Sequence, residues 1–324
     1  MNEIFSNLGA ANPVDRRTLL RRAGIGGASL VAGSLLAGCG GSDHNNRSNN
    51  GGSNGNNGTS GSLTNPTDVD VLNFALNLEY LEGAYYTLGT GQYINGAEDL
   101  TGSGTQGDVV GGRQVSLSSL RPYFNEIAYD ESNHIRALRA AITARGGTPI
   151  ARPAINFTSA FAAAGASAGT PGFDPFVDET SFLLGGFLLS DVGVTAYVGG
   201  SQFIDDQAAR LAAASLLATE AYHVGSIRTL IANVGGDAVI RSRGIASARN
   251  TLDIIPGEPV VDDQGVDEDP NVPGAHNIAL TNPQGLAFGR SVRQVLSQVY
   301  LTNASGAQGG GFFPNGTNGG LRTI

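Results

Sequence analysis

The sequence predicts an all-α fold: a four-helix bundle with a long crossover between helices two and three and an additional C-terminal helix. Three observations carry this. Apolar residues recur at three- and four-residue steps in four long stretches, the period of one helix face. No stretch shows the apolar–polar alternation of a strand. A long connection, about 147–175, falls between the second and third stretches, where one class of four-helix bundle carries its crossover.

Pro66-Thr67-Asp68 reads as a helix start with an acceptor cap. The first helix, about 68–88, aligns Leu72, Ala75, Leu76, Glu79, Glu82, Gly83 and Tyr86. A Gly-rich loop, 89–115, follows. The second helix, about 116–145, aligns Leu120, Phe124, Ile127, Glu131, His134, Leu138 and Ile142, and Gly146-Gly147 and Pro149 end it. In the connection, TSAFAAAG reads as a short helix. The third helix, about 175–198, aligns Leu184, Phe187, Leu188, Asp191, Val194, Thr195 and Val198. Its glycine pairs at 185–186 and 199–200 lower its helix propensity, so it must rely on packing. The fourth helix, about 205–234, aligns Ala213, Leu216, Glu220, His223, Ile227 and Leu230. An acidic, proline-rich loop, 251–284, leads to a last amphipathic helix, GLAFGRSVRQVLSQVY at 285–300, and a Gly/Asn-rich tail. The acidic run 261–271 lacks an EF-hand pattern and reads as a solvated loop.

Glu79, Glu131, His134, Asp191, Glu220 and His223 each occupy a stripe position where Leu or Ile is expected. A buried carboxylate is costly unless it is paired or bound to a metal. No Arg lies on these stripes, and the chain has no Lys. Glu131/His134 and Glu220/His223 share an i, i+3 offset, which puts both side chains on one helix face. Four carboxylates and two neutral imidazoles balance two divalent cations. One acid from each of two helices and Glu-x-x-His from each of the other two is the ligand scheme of di-iron and di-manganese bundles. The six residues are therefore the candidate metal ligands, for two divalent ions, iron or alternatively manganese. Asp191 is one methylene shorter than the Glu expected there, and Glu82 is the substitute that helix one offers. Tyr86, seven residues beyond Glu79 on the same face, is a candidate to hydrogen-bond a ligand carboxylate. No residue is assigned a catalytic role. The plainer alternative is a pair of surface Glu–His contacts, worth a few tenths of a kcal/mol each.

A net charge of -9 argues against a nucleic-acid partner, which needs a basic face. The single Cys excludes an internal disulfide. Residues 1–38 resemble a twin-arginine export signal: Arg16 and Arg17 precede a short, glycine-rich apolar run. Leu36-Ala37-Gly38-Cys39 matches a bacterial lipobox, which implies lipidation at Cys39. Residues 39–66 then form a Gly/Asn/Ser tether, residues 67–315 the helical domain and residues 316–324 a tail. The expected location is that of an exported lipoprotein, on the periplasmic or cell-surface side of a membrane that it contacts through its anchor.

LNFALNLEYLEGAYY, the acid in SDVGVTAY, EAYH, and AFGRSVRQVLSQVY with GGFFPNG resemble the ferritin-like domain proteins related to the plant desiccation-related proteins. The resemblance spans about 67–315 and implies a four-helix bundle with a C-terminal helix. Two functions remain open. One is a di-metal oxidoreductase, ferroxidase- or peroxidase-like, acting on oxygen, peroxide or ferrous iron in envelope stress protection. The other is a non-catalytic desiccation or stress protein with a structural or vestigial metal site. Storage of iron in a closed shell fits poorly with an anchor and a tether. The sequence does not set the oligomeric state.

Overall fold

The computed structural model describes residues 66–324 apart from 268, 270 and 271. The predicted export signal with Arg16 and Arg17, the expected lipidation site Cys39 and most of the predicted tether lie outside these residues. Among the described residues are eight helices and one short sheet: α1 Asp68–Thr90, α2 Ala97–Leu100, β1 Val109–Val110, α3 Arg121–Ala144, β2 Ile155–Asn156, α4 Phe157–Ser167, α5 Glu179–Ser201, α6 Gln207–Val234, α7 Gly236–Leu252 and α8 Val292–Tyr300. The fold is all-α, as expected. β1 and β2 pair in parallel over two residues each, too short a ladder to leave a pattern in the sequence.

The helix ends follow their local chemistry. Thr67 and Asp70 form a reciprocal capping box at the start of α1, and Gly91 closes that helix in the left-handed conformation. Asp178 caps α5 and Asp206 caps α6 through their side chains. α3 begins at Arg121 rather than near 116, with Pro122 in its first turn. α8 begins at Val292 behind a Ser291–Gln294 capping box.

α1 packs along α3 and α5 along α6, and the contacts of α1 with α5 and α3 with α6 close the bundle. Apolar residues fall into two clusters. One contains Leu72, Leu76, Leu138, Ile142, Ala213 and Leu216. The other contains Tyr85, Tyr86, Phe124, Ile127, Phe182 and Ile231. Along α1, α3 and α6, the buried acids and histidines sit where one cluster gives way to the other.

α7 is the long helix that the apolar period does not announce. Gly235-Gly236 reads as a stop, yet the chain re-enters a helix at once. The buried face of α7 includes Ser242 and Arg249, so hydrophobicity alone does not trace it. The segment after α7 is fastened by buried ions. Arg290 pairs with Asp253 and Asp263, and Arg249 pairs with Asp263 and Asp191. Asp263, in the run read as solvated, is only 3% exposed. Residues 316–324 are no free tail either. The Asn77 carboxamide accepts from the Asn318 N–H and donates to its carbonyl, and Leu321 and Ile324 are buried.

Candidate metal centre

The site grows from three helices, each giving two residues one turn apart: Glu79 and Glu82 from α1, Glu131 and His134 from α3, Glu220 and His223 from α6. None of the six is more than 6% exposed. A ligand atom from each of Glu79, Glu131, His134 and Glu220 lies within 4.8 Å of the other three. His134 Nδ1 is 2.9 Å from Glu220 Oε1 and 3.3 Å from Glu79 Oε2. His223 Nδ1 is 3.3 Å from Glu131 Oε1, whereas Glu131 Oε2 faces His134 at 3.9 Å. Glu131 thus turns one oxygen to each imidazole. The two rings stack with centroids 6.0 Å apart.

The polar atoms test whether a metal fits. Glu79 Oε2, both oxygens of Glu131 and of Glu220, and Nδ1 of both histidines are buried and make no hydrogen bond. Buried polar atoms are normally satisfied, and orphaned ones are expensive. The short N–O approaches do not meet hydrogen-bond geometry, and four of these residues bring a ligand atom within 4.8 Å of one another. Among the described residues no Arg pairs with Glu79, Glu82, Glu131 or Glu220. Carboxylate oxygens and imidazole nitrogens suit iron and manganese. The cluster could therefore hold a metal ion, and its donor set fits one.

Other side chains orient these ligands. Tyr197 Oη donates to Glu79 Oε1 at 2.5 Å. Ser190 Oγ donates to Glu82 Oε2 at 2.6 Å and shares a 2.8 Å hydrogen bond with Tyr86 Oη. His223 Nε2 lies 3.1 Å from Asp130 Oδ2, which turns Nδ1 inward. Partners of this kind fix ligand orientation in metal sites. The periodicity misses Tyr197 and Ser190, which look like ordinary core positions, and Asp130, which is partly exposed. Its position immediately before Glu131 was the available signal.

Electrostatics record the crowding. Burial first, then the charges of Glu220 and Glu79, pushes the Glu131 carboxyl far up. Burial and the same two neighbours do this to Glu82. For Glu79, burial raises the pKa, but His134, then Tyr197 and Glu131, together leave the carboxyl below its usual value. Burial opposes a charged His134, yet Glu79, Glu220 and Glu131 push it up to about 12. Burial, then Glu79, raises the Tyr197 phenol, which keeps it a donor. Protons hold the ion-free cluster together where cations would otherwise serve.

Asp191 requires correction. It is buried on α5, but its carboxylate does not join the cluster. Arg228 donates to Oδ1 and Oδ2 at 3.0 and 2.9 Å, and Arg249 donates to Oδ2 at 2.8 Å. Burial alone would raise its pKa; Arg228 and then Arg249 hold it below the usual value. The premise that no Arg could neutralise the interrupted stripes fails at this residue. Glu82, one turn beyond Glu79, faces the cluster instead. A Cβ placed on Gly193 of α5 would lie 2.5 Å from Glu82 Oε1 and 3.8 Å from Glu220 Oε2, so both carboxylates approach the same bare point on that helix. The structure places Tyr86 one hydroxyl away from Glu82, through Ser190.

Known proteins resemble this chain over most of its helical part. A family model described as the ferritin-like domain matches residues 67–233. A ferritin-like catalase, Nec2, of Nesocodon mauritianus is 28% identical over 274 residues, covering 78% of this chain and 84% of the relative. The desiccation-related protein PCC13-62 of Craterostigma plantagineum is 28% identical over 246 residues, 71% of this chain and 76% of the relative.

Proposed function

This chain belongs to the ferritin-like domain family, and from that premise we propose that it is a di-metal oxidoreductase of the cell envelope that consumes hydrogen peroxide. One observation carries the reading: seven buried ligand atoms on Glu79, Glu131, His134, Glu220 and His223 converge without hydrogen-bond partners. Glu82 completes the set, in place of Asp191. Glu79, Glu82, Glu131 and Glu220 balance two divalent ions, iron or manganese, while Asp191 is neutralised by arginine. The catalase name of the Nesocodon relative supports peroxide as the substrate.

When bound, such a metal pair supplies Lewis-acid and redox chemistry to a small oxidant. The chain supplies the frame. Glu131 spans the two histidines. Tyr197 and Ser190 hold Glu79 and Glu82 against rotation. Asp130 takes the outward nitrogen of His223, so that the inward one remains a donor to a cation. The apolar clusters on either side exclude bulk water, which strengthens every charge interaction between them. The Arg16-Arg17 signal and Cys39 support an exported, lipid-anchored location.

A second reading, a non-catalytic stress protein that binds metal for stability, draws on the name of the Craterostigma relative. Metal analysis of the purified protein, with oxygen release from added peroxide, separates the two. Bound metal with oxygen release supports the enzyme; bound metal, a raised melting temperature and no release support the second reading. Absence of metal from protein purified in iron- and manganese-replete cells would sink both.

A further inference from the structure

A cavity reaches this centre at Glu82. It lies between α1, α4, α5, α7 and α8 and has a volume of about 60 Å³. Glu82 and Gly193 lie on its wall beside Leu78, Leu81 and Val192; all five are buried. Ser167, Ala248 and Leu252, also on its wall, are exposed or half-buried and mark the mouth. The cavity therefore runs from the surface to one carboxylate of the cluster.

Its walls are apolar except where polar groups are already engaged. Arg249 is committed to Asp191, Asp263 and the Phe187 carbonyl. Gln298 donates to the Arg249 carbonyl and Asp253, and Ser167 donates to the Ala163 carbonyl. A water settles in a cavity only with two to four polar partners. Here Glu82 is the one buried group left to offer any. The space is about 60 Å³, so it admits small molecules only. The centre also has a polar edge, where Asp130, on His223, has 29% side-chain exposure. An apolar diatomic suits the cavity walls better than water or peroxide does.

We propose that the cavity lined by Leu78, Leu81, Val192 and Gly193 is a dioxygen site and conduit, joining the surface at Ala248 and Leu252 to the metal centre at Glu82. It rests on the metal reading above. Dioxygen is the product of peroxide disproportionation, 2 H2O2 → O2 + 2 H2O, and the co-substrate of metal oxidation, so either direction of flow uses the path.

The test uses the full-length protein. Xenon, an apolar probe, should occupy the cavity beside Val192 in pressurised crystals, with or without metal. Ala248→Phe, and the milder Ala248→Leu, should remove the xenon while leaving metal content and spectrum unchanged. In the iron-loaded, anaerobically reduced protein, Ala248→Phe should slow reoxidation by dioxygen about tenfold, equivalent to ~1.4 kcal/mol of barrier, with Ala248→Leu intermediate and oxidation by peroxide little changed. Empty wild-type density under xenon would overturn the proposal, as would normal dioxygen rates in both variants. Equal slowing by both oxidants would overturn its selectivity for dioxygen. Wild-type protein that takes up no metal would instead remove the metal reading beneath it, a result distinct from normal loading with no effect of plugging.

Discussion

Asp191 and Arg228 form a buried two-pronged ion pair between neighbouring helices of the bundle, with N–O distances of 3.0 and 2.9 Å. Arg249 reaches the same carboxylate from α7. Asp191 is thus the hinge between the bundle and the segment that follows it, through Arg249, Asp263 and Arg290.

Removing Asp191 should therefore cost stability and spare the metal. Asp191→Ala leaves Arg228 short of its charge partner in a fully buried site, and breaking a buried pair from one side costs about 3–5 kcal/mol. We expect a melting temperature lower by several degrees, with unchanged metal per folded chain. Loss of metal at intact secondary structure would restore Asp191 to the ligand set.

Glu82→Gln should do the reverse. Burial and the charges of Glu220 and Glu79 oppose ionisation of Glu82, so a neutral isostere relieves the ion-free protein. The same change removes a charged donor from the centre. Chelated Glu82→Gln should melt at or above the wild-type temperature, while mass-spectrometric metal analysis should give one ion per chain rather than two. Full loading would remove Glu82 from the centre.

These contrasting residues show what the sequence could carry. The four long helices were legible because burial of one face imposes a period, and Glu131/His134 and Glu220/His223 because acids and imidazoles break that period at a shared offset. Asp191 breaks it in the same way, for another reason. Its partners sit off the stripes: Arg228 on α6, five residues past His223, and Arg249 on a helix hidden behind Gly235-Gly236. Periodicity reports that a charge is buried and is silent about what neutralises it. Tyr197, Ser190 and the Asn77–Asn318 pair escape for a related reason, since a polar group satisfied across 100 or more residues leaves no local pattern.

The pH dependence should differ between the ion-free and the metal-bound protein. In the ion-free protein His134 is raised to about 12, so its contribution is full below the ordinary histidine value and fades as pH rises toward 12. The raised carboxyls of Glu82 and Glu131 likewise stabilise while protonated and lose this above the ordinary carboxyl range. The lowered carboxyls of Glu79 and Asp191 act in the opposite sense, but their contribution is lost only in stronger acid. Between about pH 5.5 and about pH 8, chelated protein should melt progressively lower. Cations compete with the same protons, so the rise in melting temperature on adding manganese should grow over that interval. A metal-induced shift that shrinks toward pH 8 would contradict a centre built on these groups.

Gly193→Ala separates the helix from the site most cleanly. Alanine favours an interior helix position over glycine by roughly 0.5–1 kcal/mol, and α5 is rich in glycine. At Gly193 the new methyl would lie 2.5 Å from Glu82 Oε1, closer than carbon and oxygen tolerate. The obstacle is the end of a side chain, so the carboxylate swings away and the backbone stays. Gly200, on the same helix, meets only Val71 Cγ1 at 3.5 Å, an ordinary contact. Both Ala variants should keep the fold, and Gly200→Ala should bind metal as wild type does. Gly193→Ala alone should bind the second ion about tenfold more weakly, a difference of ~1.4 kcal/mol, as read by competition with a chelator. Equal affinity in the two variants would mean that Glu82 does not need the space that Gly193 leaves, and that its approach to Glu220 plays no part in holding a cation.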